Sequence, residues 1–373
     1  MAEGPVELSN RDPEQGLALC LSGGGYRAML FHLGSLIRIN ELGLLEQLDR
    51  CSSVSGGSIT ASILGLKWNK LVFVDGVATR LLEEVVVPVC NLAKHTIDVP
   101  AIAWGTANPF KTIGNTLAGY YDKYLLNHAT IQDLPDTPRF VFNSTNIQTG
   151  SNWRFSKPYM GDYTVGLVSK PTLALSIAVA ASSAFPPFLS PVELRLSEAD
   201  YASDDTATNT SSDFRERVLL TDGGVYDNLG LETAWKRYSN ILVSDGGRKM
   251  QADAAARTDW AMQSRRLIDL LQHQTSNLRR RQVIDSFLSR ERGGAYWGVQ
   301  TDVRKFDAVG AIEVTDRMKA IGNMETRLEA VHDEDQRDLI NLAYVLCDAA
   351  IRSSSVRWVG DIRILRAAPA LPF

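Results

Sequence analysis

The chain has few histidines, no paired cysteines and no surplus of positive charge, and each deficit excludes a class of function. Its 373 residues carry a formal net charge of -4, whereas a nucleic-acid-binding domain usually has a basic balance, so we expect no nucleic-acid partner. The four cysteines are scattered without the spacing of a metal site, and neither a metal nor another cofactor is expected. Cys20 and Cys51 adjoin apolar strand-like runs and are predicted to be buried.

Long hydrophobic runs are also lacking. None reaches the roughly 18 uninterrupted apolar residues that a membrane-spanning helix needs. Residues 173–189 come nearest, but Ser176, Ser182 and Ser183 interrupt them, and we predict a buried helix and turn there. Residues 1–16 are polar and acidic, unlike a secretory signal peptide. We expect a cytoplasmic protein whose contact with a membrane is peripheral, at the inner face; its oligomeric state stays open.

Apolar strand-like runs alternate with helical patterns through the first half of the chain. This alternation predicts an α/β fold with a mostly parallel sheet and helices on both faces. Ligands of such sheets bind outside the carboxyl ends of the strands. Strands are predicted at residues 17–21, 48–54, 140–146, 217–221 and 240–244, and helices at residues 28–40 and 57–68.

Two segments stand apart from this alternation. Residues 85–121 are apolar and contain three prolines, with Trp104 and Phe110, which suits either a mobile cover over an apolar site or a satellite helical layer. From residue 259 to residue 373 the pattern is that of a helical C-terminal extension, with a turn that contains Trp297.

Two glycine-rich bends follow the first two predicted strands. Gly23, Gly24 and Gly25 precede a helix, and consecutive glycines at a helix start bring backbone N–H groups close to bound negative charge. At the second bend, Ser55 is followed by Gly57 between a strand and a helix, the arrangement of a nucleophile elbow. The alternative is that Ser55 caps a helix, as serines often do.

A nucleophilic serine needs a base, because its hydroxyl is a poor nucleophile at neutral pH. Of the five histidines, only His32 lies close in sequence to the bends, and packing in its helix is the simpler role. Asp222 and Asp245 each end an apolar strand and open an Asp-Gly-Gly turn. Either carboxylate could therefore reach the sheet edge where Ser55 is predicted to lie.

Together these motifs resemble the patatin-like phospholipase family, from about residue 17 to residue 247. The matching features are the glycine loop with Arg27, the serine elbow, residues 180–187 and Asp222 with its glycines. The resemblance implies a three-layer α/β fold and a single catalytic domain over residues 17–373. Ala28 and Ser53 stand where the family has glycine.

The resemblance also implies a role for each candidate residue. Ser55 would be the nucleophile and Asp222 its base, in a dyad without histidine. Backbone N–H groups of Gly23, Gly24 and Gly25 would hold the oxyanion. Arg27 would fix the loop or neutralise nearby negative charge.

The expected function is therefore a serine acyl hydrolase that cleaves fatty-acyl esters of phospholipids or related lipids through an acyl-serine intermediate. The alternatives are a catalytically silent protein and a nucleotide-binding module that uses the glycine loop, although the loop lacks a Gly-Lys-Ser/Thr ending. Arginines are frequent over residues 265–292. They could meet anionic lipid headgroups or form an ordinary solvated helix face.

Overall fold

The computed structural model describes residues 13–101, 113–203, 206–353 and 356–373. Within them, twelve strands form a ten-stranded sheet and a separate two-stranded pair. The strands are β1 (Glu14–Leu21), β2 (Arg50–Ser53), β3 (Phe73–Val74), β4 (Val77–Ala78), β5 (Arg139–Asn146), β6 (Asn152–Phe155), β7 (Tyr159–Asp162), β8 (Gly166–Ser169), β9 (Val192–Arg195), β10 (Arg217–Asp222), β11 (Tyr238–Asp245) and β12 (Gly293–Gly298).

The α-helices of the described residues lie between and beyond these strands. They are α1 (Gly25–Glu41), α2 (Gly56–Lys67), α3 (Val87–Leu92), α4 (Ile113–Tyr121), α5 (Leu175–Ser183), α6 (Ser212–Arg215), α7 (Gly224–Asp227), α8 (Glu232–Trp235), α9 (Trp260–Leu288), α10 (Asp316–Ile321) and α11 (Asp333–Arg352). The strands and helices predicted in the first half of the chain are confirmed, with ends that differ by a few residues.

The centre of the sheet is parallel, in the order β12-β11-β1-β2-β5. Leu21 of β1 lies beside Ser53 of β2 on one side and Ser244 of β11 on the other. The carboxyl ends of these strands therefore meet at one edge, which brings together the two glycine-rich bends that follow β1 and β2. The predicted α/β class is confirmed.

Beyond β5 the sheet becomes antiparallel, which corrects the expectation that the strand before Asp222 runs parallel to the others. β10 pairs antiparallel with β5, and Asp222 lies opposite Ser144. Asp222 still arrives at the edge that holds the bends, because β10 ends beside the C-terminal half of β5 rather than beside its start.

Helices cover both faces of the sheet, as the three-layer expectation requires. On one face, α1 is buried along almost its whole length and packs under α11. The two helices cross closely, since a Cβ at Gly34 would lie 1.9 Å from the carbonyl oxygen of Ile340. On the other face, a smaller core includes Cys20 of β1, Leu231 beside α8 and Val283 of α9.

The C-terminal part does more than extend the fold with helices. β12 joins the central sheet parallel to β11, and its Trp297 is fully buried. The predicted turn at Trp297 is therefore wrong, because residues 293–298 form a strand in which Trp297 lies beside Ser244 of β11. The indole N–H of Trp297 donates to Ser35 Oγ of α1 at 2.9 Å, so residues beyond 259 belong to the same core.

The described parts of residues 85–121 are mostly helical, apart from a turn over residues 93–97, and contribute to the core. Val85 and Val89 are buried in the first part, and Leu117 and Tyr121 in the second. Trp104, Pro109 and Phe110, on which the cover hypothesis partly depends, lie outside the described residues.

Two further predictions concern the burial of two cysteines and the presence of membrane-spanning helices. Cys20 and Cys51 are buried, as predicted, and burial raises the pKa of both thiols. In the part of the chain that the structure describes, no helix has the length and apolar character needed to cross a bilayer.

Candidate active site

Ser55 occupies a sharp bend between β2 and α2. Its φ is 52° and its ψ is -121°, a backbone conformation that residues other than glycine rarely adopt. Such a bend presents the serine side chain at the strand end, as a nucleophile elbow does. The packing behind it is tight, because a Cβ at Gly57 would lie 2.4 Å from the carbonyl oxygen of Leu21. Gly57 therefore supports the elbow by letting α2 approach β1.

Ser182, at the end of α5, holds the backbone of this bend. The Ser55 N–H donates to the carbonyl oxygen of Ser182 and to its Oγ, at 3.1 Å each. The Ser182 hydroxyl in turn donates to the carbonyl oxygen of Asn143, at 2.6 Å, and lies 2.8 Å from Ser58 Oγ. The conformation of Ser55 is thus held by a second, buried element.

Asp222 ends β10, and its carboxyl is close enough to the Ser55 hydroxyl for that hydroxyl to lower the carboxyl's pKa. Asp222 is 2% exposed, and Ser55 is 7% exposed. Burial raises the pKa of the Asp222 carboxyl, while hydrogen bonds from the Gly224 N–H, at 2.6 Å, and from the Ser55 hydroxyl lower it, and the result is a pKa of about 7. A carboxyl poised near neutrality can accept and return a proton.

The glycine loop lies against the elbow. A Cβ at Gly23 would lie 3.1 Å from Ser55 Cβ, so the two bends are in contact. The Gly23 N–H, however, donates to the carbonyl oxygen of Asn228 at 3.0 Å, and this corrects the expectation that it faces a substrate. The N–H groups of Gly24 and Gly25 make no hydrogen bond with any described residue. These two N–H groups therefore remain available as hydrogen-bond donors.

Arg27 anchors the glycine loop from inside the protein. Its Nε donates to the carbonyl oxygen of Gly246 at 2.9 Å, and its two terminal nitrogens donate to the carbonyl oxygen of Met324 and to Thr326 Oγ1. Burial lowers the pKa of Arg27 to about 10. Of its two expected roles, the contacts are those of a loop anchor.

His32 is placed where it cannot serve as the base. It is fully buried, with one ring nitrogen 2.8 Å from Ser244 Oγ and the other 2.9 Å from the carbonyl oxygen of Ser22. Burial lowers its pKa to about 4. The packing role expected for His32 is the one that the structure gives.

Asp245, the alternative carboxylate, is engaged elsewhere. It accepts hydrogen bonds from Arg280 and from the Tyr296 hydroxyl, at 2.7 Å each. Because the Arg280 guanidinium stabilises the charged carboxylate, the pKa of Asp245 is lowered despite its burial. An aspartate held as a permanent anion in an ion pair is a poor proton acceptor.

The sequence did not single out Ser182 and Asn143 as part of this site. Ser182 lies within residues 180–187, one of the stretches that resemble the family. That resemblance indicates that the stretch lies near the site, but it does not predict what Ser182 does there. Asn143 sits in β5 with nothing in the sequence to distinguish it. Its Nδ2 donates to Ser52 Oγ and to the carbonyl oxygen of Ser53, at 2.9 and 3.0 Å.

The sequence of the chain matches that of a known protein family. The sequence model of the patatin-like phospholipase family matches residues 19–235, and the chain belongs to that family. The match contains both glycine-rich bends and Asp222. No curated protein matches the chain.

Two solved structures of one protein share the fold at low sequence identity. Human GIVD cytosolic phospholipase A2 matches with a TM-score of 0.52 at 13% identity, over 91% of this chain and 60% of its own. The same protein with methyl gamma-linolenyl fluorophosphonate gives 0.50 at 14% identity, over 91% and 58%. VipD from Legionella pneumophila gives 0.34 at 15% identity, over 91% and 66%. The chain thus spans about three fifths of the first of these structures.

Proposed function

We propose that this protein is a serine acyl hydrolase that cleaves fatty-acyl esters of phospholipids or related lipids with Ser55 and Asp222 as its dyad. The observation that carries the proposal is the strained elbow at Ser55 beside a buried carboxyl whose pKa is about 7. Membership of the patatin-like phospholipase family supports an ester of a lipid as the substrate.

In the first half of the reaction, the Oγ of Ser55 attacks the carbonyl carbon of the ester. Its proton passes to the Asp222 carboxylate, and the carbonyl oxygen becomes an oxyanion. The N–H groups of Gly24 and Gly25 stabilise that charge, and one such donor contributes roughly 3 kcal/mol. The tetrahedral intermediate then expels the alcohol, which takes the proton from Asp222 and leaves an acyl-serine.

In the second half, water replaces the alcohol. Asp222, again a carboxylate, accepts a proton from the water as its oxygen attacks the acyl carbon. Collapse of the second tetrahedral intermediate releases the fatty acid, and the proton returns to Ser55 Oγ. The same carboxyl therefore acts as base and acid in each half, for which a pKa close to the working pH is favourable.

The test is to incubate the purified protein with mixed phospholipid vesicles and to identify fatty acids and lysolipids by mass spectrometry. A fluorophosphonate probe should label the wild-type protein at Ser55. Ser55→Ala should abolish both signals, and Asp222→Asn should abolish turnover in a folded protein. Ser62→Ala is the matched control, because Ser62 is a buried serine of α2 whose hydroxyl donates only to Ile59 of its own helix.

Two outcomes would overturn the proposal. Full turnover in Asp222→Asn would remove the dyad. The other is that the probe fails to label Ser55. If a nucleotide then stabilises the protein strongly against heat, a nucleotide-binding module is favoured. If no nucleotide does so, a catalytically silent protein is favoured.

A further inference from the structure

The outward side of helix α9 carries a row of exposed apolar side chains. Trp260, Leu267, Leu271 and Leu278 are 81%, 52%, 64% and 61% exposed. Their spacing of seven, four and seven residues places them along one side of a helix. Single exposed leucines are ordinary on a protein surface, but four large apolar side chains aligned on one side of a helix indicate a surface that another apolar phase covers.

The opposite side of α9 is fixed to the protein, so the row cannot be turned inward. Val283 is buried in the smaller core. Arg279 pairs with Glu232 at 2.9 Å, and Arg280 pairs with Asp245 at 2.7 Å. These two arginines therefore hold the helix down, which leaves the leucines, rather than an arginine face, as its outermost surface.

Helix α9 also lies directly beside the proposed catalytic dyad. A Cβ at Gly224 would lie 2.5 Å from Nε2 of Gln272, and the Gly224 N–H binds the Asp222 carboxyl. Arg265, two residues before Leu267, lies over the ring of the half-exposed Phe188, at 5.6 Å from its centroid. The helix that carries the row therefore also borders the site.

The charge around α9 indicates what would cover this surface. Residues 248–292 contain ten arginines and lysines against five acidic residues, in a chain whose net charge is -4. Arg281, in the same helix as the row, is exposed. Apolar side chains flanked by basic ones suit the boundary between headgroups and acyl chains in an anionic bilayer.

We propose that the outward face of α9 is a docking surface for an anionic lipid bilayer. The leucine row would insert among the acyl chains while flanking arginines meet the headgroup phosphates. This inference rests on the proposed function, since the bilayer would supply the ester, and it places the dyad beside the lipid surface without a change in fold.

The first test measures binding to vesicles of phosphatidylcholine, alone or mixed with phosphatidylglycerol, by co-sedimentation. It uses Ser55→Ala as the background, so that the result does not depend on turnover. The mixed vesicles should be bound more tightly, and the triple change Leu267→Gln, Leu271→Gln and Leu278→Gln should weaken binding to them about a hundredfold, given the free energy of burying a leucine.

A matched control separates this surface from general hydrophobicity. Val74, Val99 and Val309 are exposed residues outside α9, and changing all three to glutamine should leave vesicle binding unchanged. Both triple variants are compared by thermal unfolding, because surface changes should preserve the fold. Brominated lipid should quench the fluorescence of Trp260. The contribution of Trp260 is the difference between the quenching measured for the parent protein and that measured for Trp260→Phe.

The outcomes separate the docking surface from the proposed function. Vesicle binding that is unchanged in the leucine variant, or equally weakened in the valine variant, overturns the docking surface even if lipid products are released. Leucine-dependent binding supports it even if no product is found, in which case the proposed function alone fails. A wild-type dimer that the leucine variant converts to a monomer, without loss of vesicle binding, would assign the row to a second copy instead.

Discussion

The N–H of Ser55 donates to both the carbonyl oxygen and the Oγ of Ser182, at 3.1 Å each. The same carbonyl oxygen accepts the N–H of Gly223 at 3.2 Å. One residue at the end of α5 therefore holds the backbone of the elbow and the backbone that follows Asp222. The separation of the hydroxyl and the carboxyl depends on this third element as well as on the strands that carry them.

Replacing Ser182 by alanine should lower kcat about tenfold while KM changes little. The backbone hydrogen bonds would persist, but the bonds of the hydroxyl to Ser55, Ser58 and Asn143 would be lost, and a small misplacement of reacting groups is costly. Steady-state kinetics on a lipid ester and the rate of fluorophosphonate labelling would both measure the effect.

Ser62→Ala is the control for this change, because it removes a buried serine hydroxyl from α2 without touching Ser55. Its kcat should equal that of the wild type. An equal loss of kcat in both variants, or a change confined to KM for Ser182→Ala, would remove the positioning role of Ser182.

Gly57→Ala should destabilise the protein by more than about 3 kcal/mol, since the added Cβ would meet a backbone atom that cannot move alone. That atom is the carbonyl oxygen of Leu21, at 2.4 Å. Chemical denaturation measures the change. Gly119→Ala is the matched control: Gly119 lies inside α4, and its Cβ would meet nothing within 4 Å. That variant should be neutral or more stable by about 0.5–1 kcal/mol, and a similar loss in both would contradict the packing account.

Arg27→Lys should destabilise the fold by about 2 kcal/mol or more and lower kcat. A lysine keeps the charge but cannot satisfy the carbonyl oxygens of Gly246 and Met324 and the hydroxyl of Thr326 together. Thermal unfolding and kinetics measure the two effects. Thr326→Val, which removes only one of the three partners, should have a smaller effect on both. A larger effect for Thr326→Val would show that Arg27 is not the main anchor.

Much of the site was predictable because its residues follow strand ends. Parallel strands bring their carboxyl ends to one edge, so the placement of Ser55 beside the glycine loop follows from the alternation of strands and helices alone. Asp222 lies at this edge although its strand runs antiparallel, because β10 ends beside the C-terminal half of β5.

Other features depend on contacts between residues far apart in sequence. The Gly23 N–H is engaged by Asn228, more than two hundred residues away, and no local pattern records that. Asp245 is a poor candidate for the base, in contrast to Asp222, because Arg280 of α9 forms an ion pair with it. In the same way, the sequence shows an excess of arginine in α9, but only the packing reveals which arginines point inward.

The raised pKa of Asp222 predicts two opposite effects of pH. The base must be ionised to accept the serine proton, so kcat/KM should rise with pH through a midpoint near the pKa of about 7. His32 cannot supply this midpoint, since its pKa is lowered to about 4. A pH–rate profile measured with a soluble ester tests this, and a flat profile across neutrality would contradict the assignment of the base.

The free energy of unfolding should change with pH in the opposite direction to kcat/KM. The carboxyl of Asp222 has a pKa of about 7 in the folded protein against an ordinary 3.8, so between these values the folded state binds more protons than the unfolded state. The free energy of unfolding therefore falls as pH rises through this window. Asp222→Asn, which does not titrate, should escape that loss and gain on the order of 3 kcal/mol over the wild type between about pH 5 and about pH 8. Urea unfolding of both proteins across this range measures the difference in their free energies of unfolding. All other titrating groups are common to the two proteins. A difference that stays constant with pH would therefore mean that the Asp222 carboxyl is already ionised at the lower end of the range.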